Sequence, residues 1–86
     1  MSYSDEEVVN EIVRMINEAY NPRETREAIN EKFPEYNDKE KLKSLVPKIL
    51  SKFDKKKQQH MKKTEYLMYF LIAGKDIVKK RVISNK

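Results

Sequence analysis

The sequence has 86 residues, a net charge of +5, one glycine and no cysteine. Such a length fits one domain, 1–86, and buries only about 60% of the surface exposed by the unfolded chain, so modest stability is expected and a partner or second copy would add to it. The missing cysteines exclude disulfides, thiolate metal sites and thiol nucleophiles, and the longest apolar run, Tyr66 to Ala73, has eight residues against the roughly 20 that span a bilayer.

The opening, Met1-Ser2-Tyr3-Ser4-Asp5-Glu6-Glu7, is acidic where a signal or transit peptide is basic. An intracellular protein of the cytoplasm or nucleus, with no membrane association, is the expectation. Charge is unevenly spread: residues 1–35 carry 4 Lys/Arg and 9 Asp/Glu, whereas residues 36–86 carry 15 and 5. A basic half of that size suits a polyanion or an acidic protein surface, though lysines also serve simply to solubilise. Of the 19 basic residues 15 are Lys, and bidentate reading of guanine edges is mainly the work of Arg, so backbone contact is the expected mode if nucleic acid binds.

Ser4-Asp5-Glu6-Glu7 has the form of a capping box and predicts a first helix, with Val8, Ile12, Val13, Ile16, Ala19 and Tyr20 on one apolar stripe. Asn21-Pro22-Arg23-Glu24 sets an N-cap before a proline at the first helical position and predicts a second, short helix burying Ala28, Ile29 and Phe33 and ending at Pro34. The two meet at a sharp corner. Asn37-Asp38-Lys39-Glu40 repeats the signature, and Leu42, Leu45, Val46, Ile49, Leu50 and Phe53 form the cleanest amphipathic pattern in the chain. Pro47 lies inside that helix, so a kink or a restart near Ser44 is expected.

Next comes the basic stretch 52–63, a junction between the helical unit 4–53 and an apolar segment 64–84. It holds Lys52, Lys55, Lys56, Lys57, Lys62 and Lys63 with Gln58, Gln59 and His60. If the third helix runs on through it, Lys52, Lys55, Lys56, Gln59 and Lys63 share one face and neutralise several phosphates. The candidate nucleic-acid contacts are therefore Lys52, Lys55, Lys56, Lys57, Gln59, Lys62 and Lys63. The competing view is a merely solvated lysine linker.

The final segment admits two readings. As a helix, Leu67, Phe70, Leu71, Gly74, Ile77, Val78, Arg81 and Val82 share a stripe; as a hairpin, 66–73 and 77–83 pair across Gly74-Lys75 to make a wing. The helix is preferred, because Leu, Met and Ala are helix formers and the second strand of the hairpin reading does not alternate cleanly. Its first half is apolar nearly all round, which marks Tyr66, Tyr69 and Phe70 as candidate partner-binding residues for a homodimer or larger complex, the alternative being a helix wrapped as a central core.

No catalytic site, metal site or cofactor is expected. One His, no Cys and one Gly leave neither a nucleophile–base pair nor a phosphate-cradling glycine loop, and no Asp/Glu/His spacing resembles a metal site. His60 is a solvated histidine or a phosphate contact. The expected fold is all-α, a small four-helix domain, with three helices plus a C-terminal hairpin as runner-up.

Residues 5–53 resemble the DEK C-terminal domain family, a small helical, winged-helix-like module. Carrying the resemblance are Val9, Ile12 and Ile16 in an acidic capped helix, Thr25 before Ile29 and Phe33, and Lys41 leading into Leu45, Ile49 and Leu50. It implies DNA binding and self-association. Pro47 and the apolar stretch beyond Lys63 depart from the family pattern. Two functions follow as expectations: a non-enzymatic nucleic-acid-associated accessory or regulatory protein, or a helical interaction subunit docking through its last helix.

Overall fold

Side-chain caps decide where this chain turns helical. Ser4 accepts from the Glu7 amide while the Glu7 carboxylate accepts from the Ser4 amide, and Asn21 and Glu24 repeat the exchange. Each pair satisfies amides that a helix start otherwise leaves unbonded. Asp38 caps a third start through the Glu40 and Lys41 amides, and Asp54 a fourth through the Lys57 amide at 2.8 Å. The computed structural model describes residues 3–73. Its helices are α1 (Asp5–Asn17), α2 (Pro22–Lys32), α3 (Lys39–Ser51) and α4 (Lys55–Lys63), with a 3₁₀ turn at Pro34–Tyr36; residues 66–73, here α5, are also helical.

Among the described residues there is no strand, so the fold is all-α. For residues 66–73 the hairpin is overturned; the rest of that segment, including Gly74, Ile77, Val78, Arg81 and Val82, lies outside the described residues. Among the described residues the expected four helices become five, because the basic stretch holds a helix of its own.

Two further expectations need correcting. Ala19 and Tyr20 fit the spacing of the α1 stripe, yet both are exposed and form the end of the helix instead. Ala19 takes φ 66°, the Ala19 amide donates to the Ile16 carbonyl and the Tyr20 amide to the Met15 carbonyl. That is the double bond pattern of a Schellman turn, here with alanine where glycine is usual. It produces the sharp corner into α2. Of the two expectations for Pro47, the restart near Ser44 is overturned, because α3 runs through it without interruption. Pro47 is exposed, and with no amide hydrogen it cannot donate to the Lys43 carbonyl.

The core is built around α1, which packs on both α2 and α3. Val8, Val9, Ile12, Met15 and Ile16 of α1 meet Ile29 and Phe33, Tyr36, and Leu42, Leu45 and Ile49 of α3. Burying each such side chain is worth about 1.5–3 kcal/mol. The apolar positions that carry the family resemblance are accounted for by this core, Leu50 being half-buried at its edge. Met61 from α4 and Phe70 from α5 complete the cluster. At its open end the Tyr3 ring stands edge-on to Phe33 at 4.6 Å, and the buried Tyr36 hydroxyl donates to Asp5 at 2.5 Å.

Candidate nucleic-acid interface

Between α3 and α4 the chain passes through Lys52, Phe53 and Asp54. Asp54 stops α3 from continuing, because its side chain caps the next helix, and the Gln58 side-chain amide donates back to the Phe53 carbonyl at 2.8 Å. The α4 sequence Lys-Lys-Lys-Gln-Gln-His-Met-Lys-Lys contains five lysines and no carboxylate. Only Met61 is buried, with Lys57 and Gln58 half-buried beside it; Lys55, Lys56, Gln59, His60, Lys62 and Lys63 are exposed. At 100° per residue, Gln59 and Lys63 fall on the midline opposite Met61, Lys55 and Lys62 on one flank, Lys56 and His60 on the other.

The expected seven-residue site is thereby divided. Lys55, Lys56, Gln59, Lys62 and Lys63 lie on one outward surface, though on α4 alone rather than on an extension of α3. Lys57 leans inward beside Met61, its stem on the core-facing stripe. Lys52 belongs to the inter-helix turn and donates to Glu6 at 2.7 Å; that hydrogen bond, helped by the charge of Lys52 and then of Lys48, holds the Glu6 carboxyl below its usual range.

Ion pairing separates the acidic half from α4. Arg14 bridges Glu11 and Glu18, Arg23 pairs with Glu27, Lys32 with Glu11, and Lys52 with Glu6. The Glu11 carboxyl is held low chiefly by the hydrogen bond from Arg14, against the effect of its own partial burial and with further help from Lys32. Among the described residues no ion pair reaches a lysine of α4. Its charge faces water.

The predicted partner-binding residues separate as well. Phe70 is fully buried, so its expected role in docking is corrected: it is a core residue beneath Arg26. Tyr66 is half-buried and its hydroxyl is committed, donating to the Tyr20 carbonyl at 2.6 Å and lying 2.8 Å from the Thr25 hydroxyl. Desolvation is the main reason its phenol titrates above the usual range. Tyr69 alone stays open, 49% exposed, next to Met68 at 46%. With Ile72 and Ala73 it lines a shallow groove of about 290 Å³ against Asn21, Pro22 and Arg23.

Arg26 and Thr25 are the buried polar residues that periodicity missed, as it missed the buried Met15, Tyr36 and Met61 among the apolar ones. The guanidinium of Arg26 donates to the Phe70 carbonyl at 3.0 Å and the Leu71 carbonyl at 2.6 Å, to Asn30 at 3.0 Å and to Asn37 at 3.4 Å. It also lies 5.9 Å from the centre of the Phe70 ring. Burial pushes its pKa down, partly opposed by the charge of Asp38, but arginine stays a cation in proteins. Nothing local in Arg23-Glu24-Thr25-Arg26-Glu27 distinguishes this arginine from a surface one.

No metal-binding cluster of His, Asp or Glu occurs among the described residues, and none of their helices is long and apolar enough to cross a membrane. No family model, curated protein or solved structure matches the chain.

Proposed function

We propose that this chain is a non-enzymatic nucleic-acid-associated accessory or regulatory protein that holds phosphates through the outward lysines of α4. The observation that carries the reading is a cluster of unpaired charge: Arg14, Arg23, Lys32 and Lys52 have carboxylate partners, whereas Lys55, Lys56, Lys62 and Lys63, like Lys39, Lys41, Lys43 and Lys48 of α3, have none among the described residues, and on α4 they stand within nine residues that hold no carboxylate. A second observation supports it. Lys55, Lys56 and Lys57 occupy the first turn of α4, where the helix dipole disfavours cations by about 0.3–1 kcal/mol each at exposed sites. A sequence selected only for stability would place acids there.

Those two facts give a test with opposed readouts. The variant K55E/K56E is expected to lose binding to a short duplex or single strand at low salt, and to be more stable than the parent by about 0.5–2 kcal/mol in urea unfolding. Loss of binding with gained stability cannot come from misfolding. Unchanged binding would sink the proposal.

A second reading, assembly through α5, is favoured by the exposed pair Met68 and Tyr69 beside the groove. Sedimentation without nucleic acid decides it, since a monomer at all concentrations, unchanged in Tyr69→Ser, removes self-assembly.

A further inference from the structure

We infer that the polyanion is B-form duplex DNA and that α4 lies in its major groove, an inference resting on the phosphate-binding reading above. Lysine–phosphate contact alone accepts any nucleic acid, so the choice falls to shape and to which other side chains share the surface. Single strands are held by aromatic platforms on which bases stack. The outward surface of α4 offers only Lys55, Lys56, Gln59, His60, Lys62 and Lys63, with its one ring on a flank; the exposed Tyr69 lines the groove at the start of α2 instead. Duplex RNA presents a major groove too deep and narrow for a helix.

B-form DNA fits the geometry that remains. Its major groove is about 12 Å wide, and a helix with side chains is about 10–12 Å across. With nine residues, α4 is about 13–14 Å long. Its buried stripe is Met61 with the half-buried Lys57 and Gln58, and among the described residues the rest of its circumference is exposed and able to enter a groove. Lys55 and Lys62 on one flank and Lys56 on the other are placed for the two phosphate rows that wall the groove, while the midline residues Gln59 and Lys63 point to its floor. Gln59 carries an amide, which can both donate to and accept from a base edge. Gln58, its neighbour, is spent on the Phe53 carbonyl.

The test uses the full chain in fluorescence anisotropy titrations against four probes of one sequence: duplex DNA, duplex RNA, single-stranded DNA, and duplex DNA whose cytosines carry glucosylated hydroxymethyl groups that fill the major groove. Duplex DNA is expected to bind about tenfold or more tighter than the other three. Its log affinity should fall against log salt with a slope of about −3 for the three flank lysines, and K55Q/K56Q should reduce the magnitude of that slope by about 2. Equal binding to all four probes, or indifference to the filled groove, overturns the major-groove inference and leaves the phosphate reading standing. Binding to none of them at low salt overturns both.

Discussion

Arg26 is where the structure makes its most demanding claim about stability. Replacing it with methionine keeps a flexible side chain of comparable length but removes every donor. The Phe70 carbonyl, whose bond to Arg26 is buried, and the Leu71 carbonyl, whose bond is part-buried, each lose a charged donor. Hydrogen bonds to charged groups are worth about 1.5–3 kcal/mol each, and an orphaned buried carbonyl costs about 1–3 kcal/mol. Loss of the cation–π contact adds about 0.5–1 kcal/mol. Against this, Arg26→Met no longer buries a cation, which returns part of the loss. The balance is a destabilisation of about 2–3 kcal/mol, a large fraction of what a domain of this size possesses, and a fall in Tm of about 8–24 °C. Arg26→Lys should recover only part, because an ammonium cannot fork across two carbonyls and two amides. Urea unfolding followed by far-ultraviolet circular dichroism measures the difference, and hydrogen exchange should place the early loss of protection in α5 rather than α1. An Arg26→Met protein within about 0.5 kcal/mol of the parent, or more stable than it, would show that burying the cation costs as much as its hydrogen bonds return, and the account of Arg26 as a stabilising pin would fail.

Two further outcomes follow from local chemistry. Ala19→Gly should stabilise the protein by about 1 kcal/mol and raise Tm by about 4–8 °C, since glycine takes a positive φ without the Cβ penalty and the exposed alanine packs on nothing that would be lost; a lower Tm would argue against the Schellman corner. The Tyr36 phenol is raised to about 12, first by its hydrogen bond to Asp5 and then by burial, whereas an unfolded tyrosine titrates near about 10. Its contribution is therefore complete below about pH 10 and is lost as pH rises to about 12, because the unfolded chain releases the proton first. Stability measured across that window should fall in the parent and fall less steeply in Tyr36→Phe.

The parts of the fold legible in the sequence were those decided within a few residues. A Ser4–Glu7 or Asn21–Glu24 exchange is local, so helix starts could be placed, and Leu42, Leu45 and Ile49 announced the buried face of α3 by spacing alone. The end of α1 was not legible in the same way. Ala19 and Tyr20 satisfy a helical period as well as any core residue, and only the backbone reveals that the period has stopped. Likewise, Asp54 carries the chemistry of an N-cap, but the lysines after it lack the reciprocal carboxylate of the α1 and α2 starts; α3 too is capped without one, by Asp38 rather than by the expected Asn37. The stripe of Leu67, Phe70 and Leu71 is the covered side of α5, with Met68 and Tyr69 left exposed, but with every face of that helix apolar, spacing could not keep Phe70 out of the candidate docking residues. What decides it is a non-local donor, Arg26, which commits the Phe70 side of α5 to α2.

That commitment also bears on how α4 presents its lysines. α4 has one buried side chain of its own, Met61, and little else to fix its orientation. Its C-terminal end is set by the joint into α5, where Glu65 takes φ 56°, its amide donates to the Lys62 carbonyl and the Thr64 hydroxyl to the Met61 carbonyl. α5 is in turn held to α2 by Arg26 and by the Tyr66 hydroxyl between Thr25 and Tyr20. The basic helix is thus oriented from behind, by contacts on the acidic half of the molecule. Those contacts do not involve its own lysines. This arrangement separates two demands that would otherwise conflict: the carboxylates of α1 and α2 engage cations that stabilise the fold, while α4 keeps its lysines unneutralised because other elements hold it in place. If α4 holds polyanions as proposed, Arg26→Met should weaken that binding although Arg26 is buried and outside α4, and the loss should appear as lower affinity at an unchanged salt slope, since the lysines of α4 are untouched; a steeper or shallower slope would refute this coupling.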